Sequence, residues 1–203
     1  MGSGLSELID GNAVHVCLDM QNIFAPGNLW ATPWLPKVVP IIEEIASRHA
    51  ERTIFTRFIT PVDVGSARGR WRQYYSHWLE ALHSNLPPDG LELVPELARF
   101  VPPAAIVDKM HYSAFVGSEL RSRLAAMQAN ALILTGAETD VCVLATVLDA
   151  VDLGYRVIVV RDGICSSSDE GHDALMKVFH GRFTHQIETA SASEILSSWN
   201  SNR

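Results

Sequence analysis

Short apolar runs alternate along this chain with longer segments whose apolar residues recur at helical spacing. "VHVCLD" (14–19), "TIFTRF" (53–58), "AIVDK" (105–109), "ALILT" (131–135) and "RVIVV" (156–160) predict five strands, with "HQIET" (185–189) as a short sixth. Between them, "PKVVPIIEEIASRHA" (36–50) puts Val38, Ile41, Ile42, Ile45 and His49 on one helical face. "SELRSRLAAMQ" (118–128) aligns Leu120, Leu124 and Met127 in the same way. Further helices are expected over 141–153, closed by Gly154, over 169–179, and over roughly 191–199.

Strand alternating with helix is the pattern of an α/β fold with a parallel sheet. The strands show little in–out alternation, as expected when helices cover both faces of a sheet. The expected architecture is a three-layer sandwich around a mostly parallel, doubly wound sheet of about six strands, within one domain over 1–203. The pattern breaks over 59–103, a stretch of turns, prolines, aromatics and arginines that reads as one long excursion, helical near 71–83. Excursions of this length are often functional.

Open parallel sheets bind ligands beyond the carboxyl ends of their strands. The predicted strands end at Asp19, near Arg57, at Lys109, just before Thr139, Asp140 and Cys142, and at Asp162. A carboxylate, an amine and a thiol therefore converge on one edge. With Asp140 as N-cap, Cys142 is the second residue of its helix. There the unpaired N–H groups and the helix dipole lower a thiol pKa and favour an oxyanion. Asp19 is placed to take the thiol proton, and Lys109 to favour the thiolate. Taken singly, each has a plainer reading: a buried cysteine as small core filler, an aspartate as a turn residue, a lysine as a solvated amine. Cys17 lies inside a strand and reads as core; Cys165, after the fifth strand in "DGICSSS", has a place at the pocket rim only as its minor reading.

Composition narrows the setting. The chain has 203 residues, 47% hydrophobic and 19% charged, enough for one sizeable core. The net charge of −7 and the absence of a basic stretch exclude a nucleic-acid footprint. No run is long and apolar enough for a membrane span, and the start lacks the pattern of a signal peptide. Met-Gly-Ser-Gly at the start fits a cloning remnant as well as a natural beginning. Three cysteines without metal-type spacing read as free thiols in a reducing, cytoplasmic setting.

"CLDMQNIF", "VDKMHYSAF" and "LTGAETDVCVLATVLDAVDLGYRVIVVRDG" closely resemble, in order and position, the three signature segments of the isochorismatase-like cysteine hydrolases. The resemblance runs over about 13–58 and 104–198. It implies a catalytic triad of Asp19, Lys109 and Cys142. It also implies a non-proline cis peptide between Ala137 and Glu138, with the backbone N–H groups of Glu138 and Cys142 as oxyanion donors. Members that cleave C–N bonds of amide, carbamoyl and ureido compounds need the cysteine, whereas those cleaving the vinyl ether of isochorismate include enzymes without it. Cys142 thus favours amide-type hydrolysis, with vinyl-ether hydrolysis and a non-catalytic ligand-binding role as alternatives. The nicotinamidase branch carries an Asp-x-His metal motif after strand two. Here the chain reads "TRFITPVD", with no histidine until His77, so no metal and no cofactor are expected. Trp30 and Trp34, after Asp19, are expected to wall a small-molecule site, joined by Trp71 and Tyr74 from the excursion. Arg57 has the planar fork to hold a substrate carboxylate, or else to pair with an acidic neighbour. Family resemblance and the apolar residues of the excursion and of "ASEILSSW" point to a homodimer or homotetramer.

Overall fold

In the computed structural model, which describes residues 4–199, all six strands join one parallel sheet in the order β3-β2-β1-β4-β5-β6. The strands are β1 (Val14–Leu18), β2 (Thr53–Phe58), β3 (Ala105–Lys109), β4 (Ala131–Ala137), β5 (Arg156–Cys165) and β6 (Ile187–Ala190). The helices are α1 (Leu35–His49), α2 (Arg70–His77), α3 (Pro95–Ala98), α4 (Leu120–Ala126), α5 (Leu144–Asp152), α6 (Asp169–Arg182) and α7 (Ala192–Ser198). The opening Met-Gly-Ser lies outside the described residues.

The three layers follow from alternation along the strands. On one face Val14, Val16, Leu18, Leu132, Leu134, Val157 and Val159 meet Leu120 and Leu124 of α4, Val147 and Ala150 of α5, and Phe179 of α6. On the other, Cys17 and Phe55 meet α1 and Leu97 of α3, while Ile133 and Ile158 meet Ile45 of α1 and Ile195 of α7. Val38, Ile42, Ile45 and His49 of α1 are buried as the helical spacing predicts, and Ile41 is half-buried.

The order reverses between β1 and β4, the paired central strands, and such switch points open a crevice at the strand carboxyl ends. Their close approach depends on Gly136. Its φ is +106°, and a Cβ there would stand 2.1 Å from the Leu18 carbonyl oxygen. No L side chain fits that space, and glycine adopts such a φ without steric cost.

Two expectations are corrected, and one minor reading falls away. β5 runs on to Cys165, so Asp162 lies inside it and accepts a hydrogen bond from the Ala192 N–H at the start of α7. Cys165 is fully buried among apolar side chains rather than near a rim. Ile195 of α7 and Trp199 just past it are buried against their own sheet face, with Trp199 stacked on His49 at 3.7 Å, so among the described residues this segment turns its apolar side inward rather than toward a partner. The excursion is more ordered than a surface loop. A 3-10 turn (Val64–Ser66), α2, two further 3-10 turns and α3 follow one another, and Ala67, Tyr75, Ala81 and Leu82 form a small core of their own against Trp30 and Trp78.

Candidate active site

Asp19 follows β1 directly, with φ +53°, and its side chain is completely buried. Thr56 of the neighbouring β2 donates its hydroxyl to Oδ1 at 2.6 Å. Lys109 ends β3, the edge strand, and lies beside Phe58 of β2 in register. Its stem reaches back toward β1, leaving Nζ 5.0 Å above the Phe58 ring and 2.6 Å from Oδ2 of Asp19. The ammonium also donates to the carbonyls of His111 (3.0 Å) and Tyr112 (3.1 Å) and stands 3.4 Å from Sγ of Cys142. Carboxylate, ammonium and thiol from three strand ends are thus gathered in one buried cluster. A buried ion pair is tolerable only with such additional partners, since desolvation of each charge is costly.

The turn carrying Cys142 differs from its expected form. Asp140 is not the cap; its Oδ1 accepts from Ser166 Oγ at 2.5 Å. Glu138 is the extended residue before the helix, and a π-type turn, Thr139–Val143, leads into α5. Cys142 is therefore the fourth helical residue rather than the second. The Glu138 carbonyl accepts from the N–H groups of both Val141 and Val143, and the peptide between Ala137 and Glu138 is cis. Thr139 Oγ1 is held 2.9 Å from His172 Nδ1 of α6.

The electrostatics also reverse one expectation. Burial pushes the Cys142 thiol well above its ordinary value. The Asp19 carboxylate pushes the same way, by charge and by accepting the thiol hydrogen, while Lys109 pulls back without overcoming them. A helix start lowers a thiol pKa only where the surroundings do not desolvate it more strongly. For Lys109, burial works to lower the pKa, but the charges of Asp19 and of Cys142 more than offset it, and the net direction is upward. Both directions are upward, favouring the ammonium at Lys109 and disfavouring the thiolate at Cys142.

Above Cys142 opens a cavity of about 450 Å³. Its wall includes Trp30 and Tyr74, as expected, together with Phe24, Phe58, Trp78 and Tyr112. Trp71 does not line it; it backs the wall, packed on Tyr112 at 4.8 Å and on Tyr74 at 5.5 Å. Trp34 sits elsewhere, exposed, beside His172 and beneath Lys37 Nζ. Arg57 is also outside: its fork closes on Asp108 at 2.8 and 3.0 Å and reaches Glu92 at 2.6 Å. Alternation along β2 explains this, because Phe58 and Arg57 point to opposite sides. The same alternation, applied to the strand end, would have found Phe58; Tyr112 and the Glu138 side chain carried no signal beyond lying within the motifs of Lys109 and Cys142. Among the described residues no three His, Cys, Asp or Glu side chains form a metal-binding group. Asp63, the first carboxylate after β2, instead caps a short turn through Ser66, so the nicotinamidase-type metal does not fit this segment.

A doubly wound sheet with a buried thiol, amine and carboxylate at its switch point is the form of a small-molecule hydrolase, and the comparisons agree. The isochorismatase domain model matches residues 13–191, and the chain belongs to that family. Its sequence is 39% identical over 81 residues to an uncharacterized isochorismatase family protein, PncA, of Bacillus subtilis, covering 40% of this chain and 44% of that protein. The match thus spans less than half the length of that relative. It is 28% identical over 182 residues to Nicotinamidase 3 of Arabidopsis thaliana, covering 87% of this chain and 84% of the relative. The fold is shared with a cysteine hydrolase from Pseudomonas syringae pv. phaseolicola 1448A, with a TM-score of 0.80, 24% identity and 92% coverage of both chains. Among the described residues no helix is long and apolar enough to cross a membrane.

Proposed function

We propose that this chain is a cysteine-dependent amidohydrolase that cleaves the C–N bond of a small amide, carbamoyl or ureido compound. The observation that carries this reading is the buried cluster in which Lys109 Nζ stands 2.6 Å from Asp19 and 3.4 Å from the Cys142 sulfur, at the floor of a cavity of small-molecule size. Similarity to a nicotinamidase, an amide-cleaving enzyme by name, supports it.

In this mechanism Asp19 takes the thiol proton as Sγ attacks the substrate carbonyl. The Lys109 ammonium steadies the negative charge forming on sulfur. The backbone N–H groups of Glu138 and Cys142 hold the oxyanion of the tetrahedral intermediate. Its collapse breaks the C–N bond, and Asp19 returns the proton to the departing nitrogen. Water, activated by Asp19, then attacks the thioester, releasing the acid and restoring the thiol. The single domain and its excursion work as one unit, the excursion supplying Tyr74 and Trp78 to the wall. Ammonia release from a panel of small amides, carbamoyl and ureido compounds tests the reading. Cys142→Ser is expected to lose activity by about a thousandfold or more while keeping the fold by circular dichroism. A Ser variant as active as the parent rejects the acyl-enzyme.

A further inference from the structure

The cavity wall carries a charge pattern that limits what its occupant can be. Four rings surround Trp30 within 5.9 to 6.3 Å: Phe24, Phe58, Tyr74 and Trp78. Contacts of this kind fix the rings, and π faces attract cations. No lysine or arginine is among the wall residues, and the one carboxylate there is Glu138. Glu138 is held in place by the Ser167 N–H, which donates to Oε1 at 3.0 Å and leaves the other carboxylate oxygen without that bond. Lys109 beneath the floor offers nothing to a ligand anion. It is fully buried, paired with Asp19 and bonded to two carbonyls. Arg57, the basic residue best placed by sequence, is closed onto Asp108 and Glu92. A substrate carboxylate entering here meets aromatic faces and a like charge.

We propose that the substrate bears its reacting amide on an apolar stem ending in a cationic ammonium group, held between the aromatic rings and Glu138. This rests on the amidohydrolase reading and narrows it. The stem lies against Phe24, Phe58 and Leu29, and the cation sits where ring faces and carboxylate act together. Glu138 then has two separate uses, its backbone for the reaction and its side chain for selection.

Three amides of matched length give the test: 4-(trimethylammonio)butanamide, its neutral isostere 5,5-dimethylhexanamide, and glutaramate. The expected order of kcat/KM is cation, neutral, anion, with the cation favoured over its neutral isostere by about tenfold. Glu138→Gln is expected to bring that ratio toward one through KM. Cys142→Ala, titrated with the same three compounds and followed by tryptophan fluorescence, measures binding without turnover. Preference for glutaramate in either assay overturns the proposal, as does a cation-to-neutral ratio that Glu138→Gln leaves unchanged. If the cation binds the Cys142→Ala protein tightly but the parent hydrolyses no amide, the amidohydrolase reading has failed and the cage stands. If amides are hydrolysed with the carboxylated one best, the cage has failed and the amidohydrolase reading stands.

Discussion

At His15 a single buried side chain makes stability depend on pH. It bridges two strands, with Nε2 2.8 Å from Thr135 Oγ1 and Nδ1 3.2 Å from Thr53 Oγ1. Burial, assisted by His49, lowers its pKa from the ordinary 6.5 to about 3. The folded protein therefore keeps His15 neutral where an unfolded chain protonates it. Between those two values the unfolded state binds more protons, so stability falls as pH falls, by up to ~1.4 kcal/mol per unit. The contribution is complete above 6.5 and lost progressively toward 3. His15→Leu is expected to flatten this part of the profile. Urea midpoints between about pH 6 and pH 4 measure it; parallel slopes for parent and variant reject the assignment. The residue scale is also where sequence reasoning was least secure. Asp19, Lys109 and Cys142 were legible as a group, because strand ends share an edge. The direction of the Cys142 shift was not, since it depends on burial by residues remote in sequence.

Elements were easier to read, and the exceptions have local causes. The ends of α1 and α6 agree with the periodicity within a few residues, because their apolar spacing persists to the boundary. β5 extends past its expected end, since "RDG" resembles a turn; the register with β4 shifts across this stretch and pairing resumes at Ile164 and Cys165. The π-type turn before α5 was invisible, because "TDVC" fits an ordinary Asp cap equally well. Gly136 is the point on which two elements depend. Gly136→Ala forces a methyl into the Leu18 backbone and demands a φ that alanine resists. The expected loss is at least about 3 kcal/mol, or failure to fold. Thermal denaturation of the variant decides it; a midpoint within a few degrees of the parent contradicts the close approach of β1 and β4.

For the molecule as a whole, the remaining expectation concerns assembly. Val62 and Leu79 of the excursion and Met110, Tyr112 and Val116 after β3 are large apolar residues left exposed. Their segments are tied together: the Ile59 N–H donates to the Lys109 carbonyl, and the Ser84 hydroxyl to that of Val62. Exposed apolar residues on joined segments mark contact surfaces more often than scattered ones. A homodimer or homotetramer whose contact surface includes part of 59–90 is expected, with no share for the buried face of α7. Light scattering at micromolar concentration should report a multiple of 22.4 kDa. A mass of one chain rejects it, and Val62→Asp with Met110→Glu should shift a true oligomer toward that mass. The burial of Lys109 has a practical consequence at the same scale. The chain has three lysines, and the other two, Lys37 and Lys177, are exposed. Amine-directed coupling through lysine to a solid support therefore runs through Lys37 and Lys177. The protein can be tethered in this way while the ammonium beside Asp19 stays unmodified.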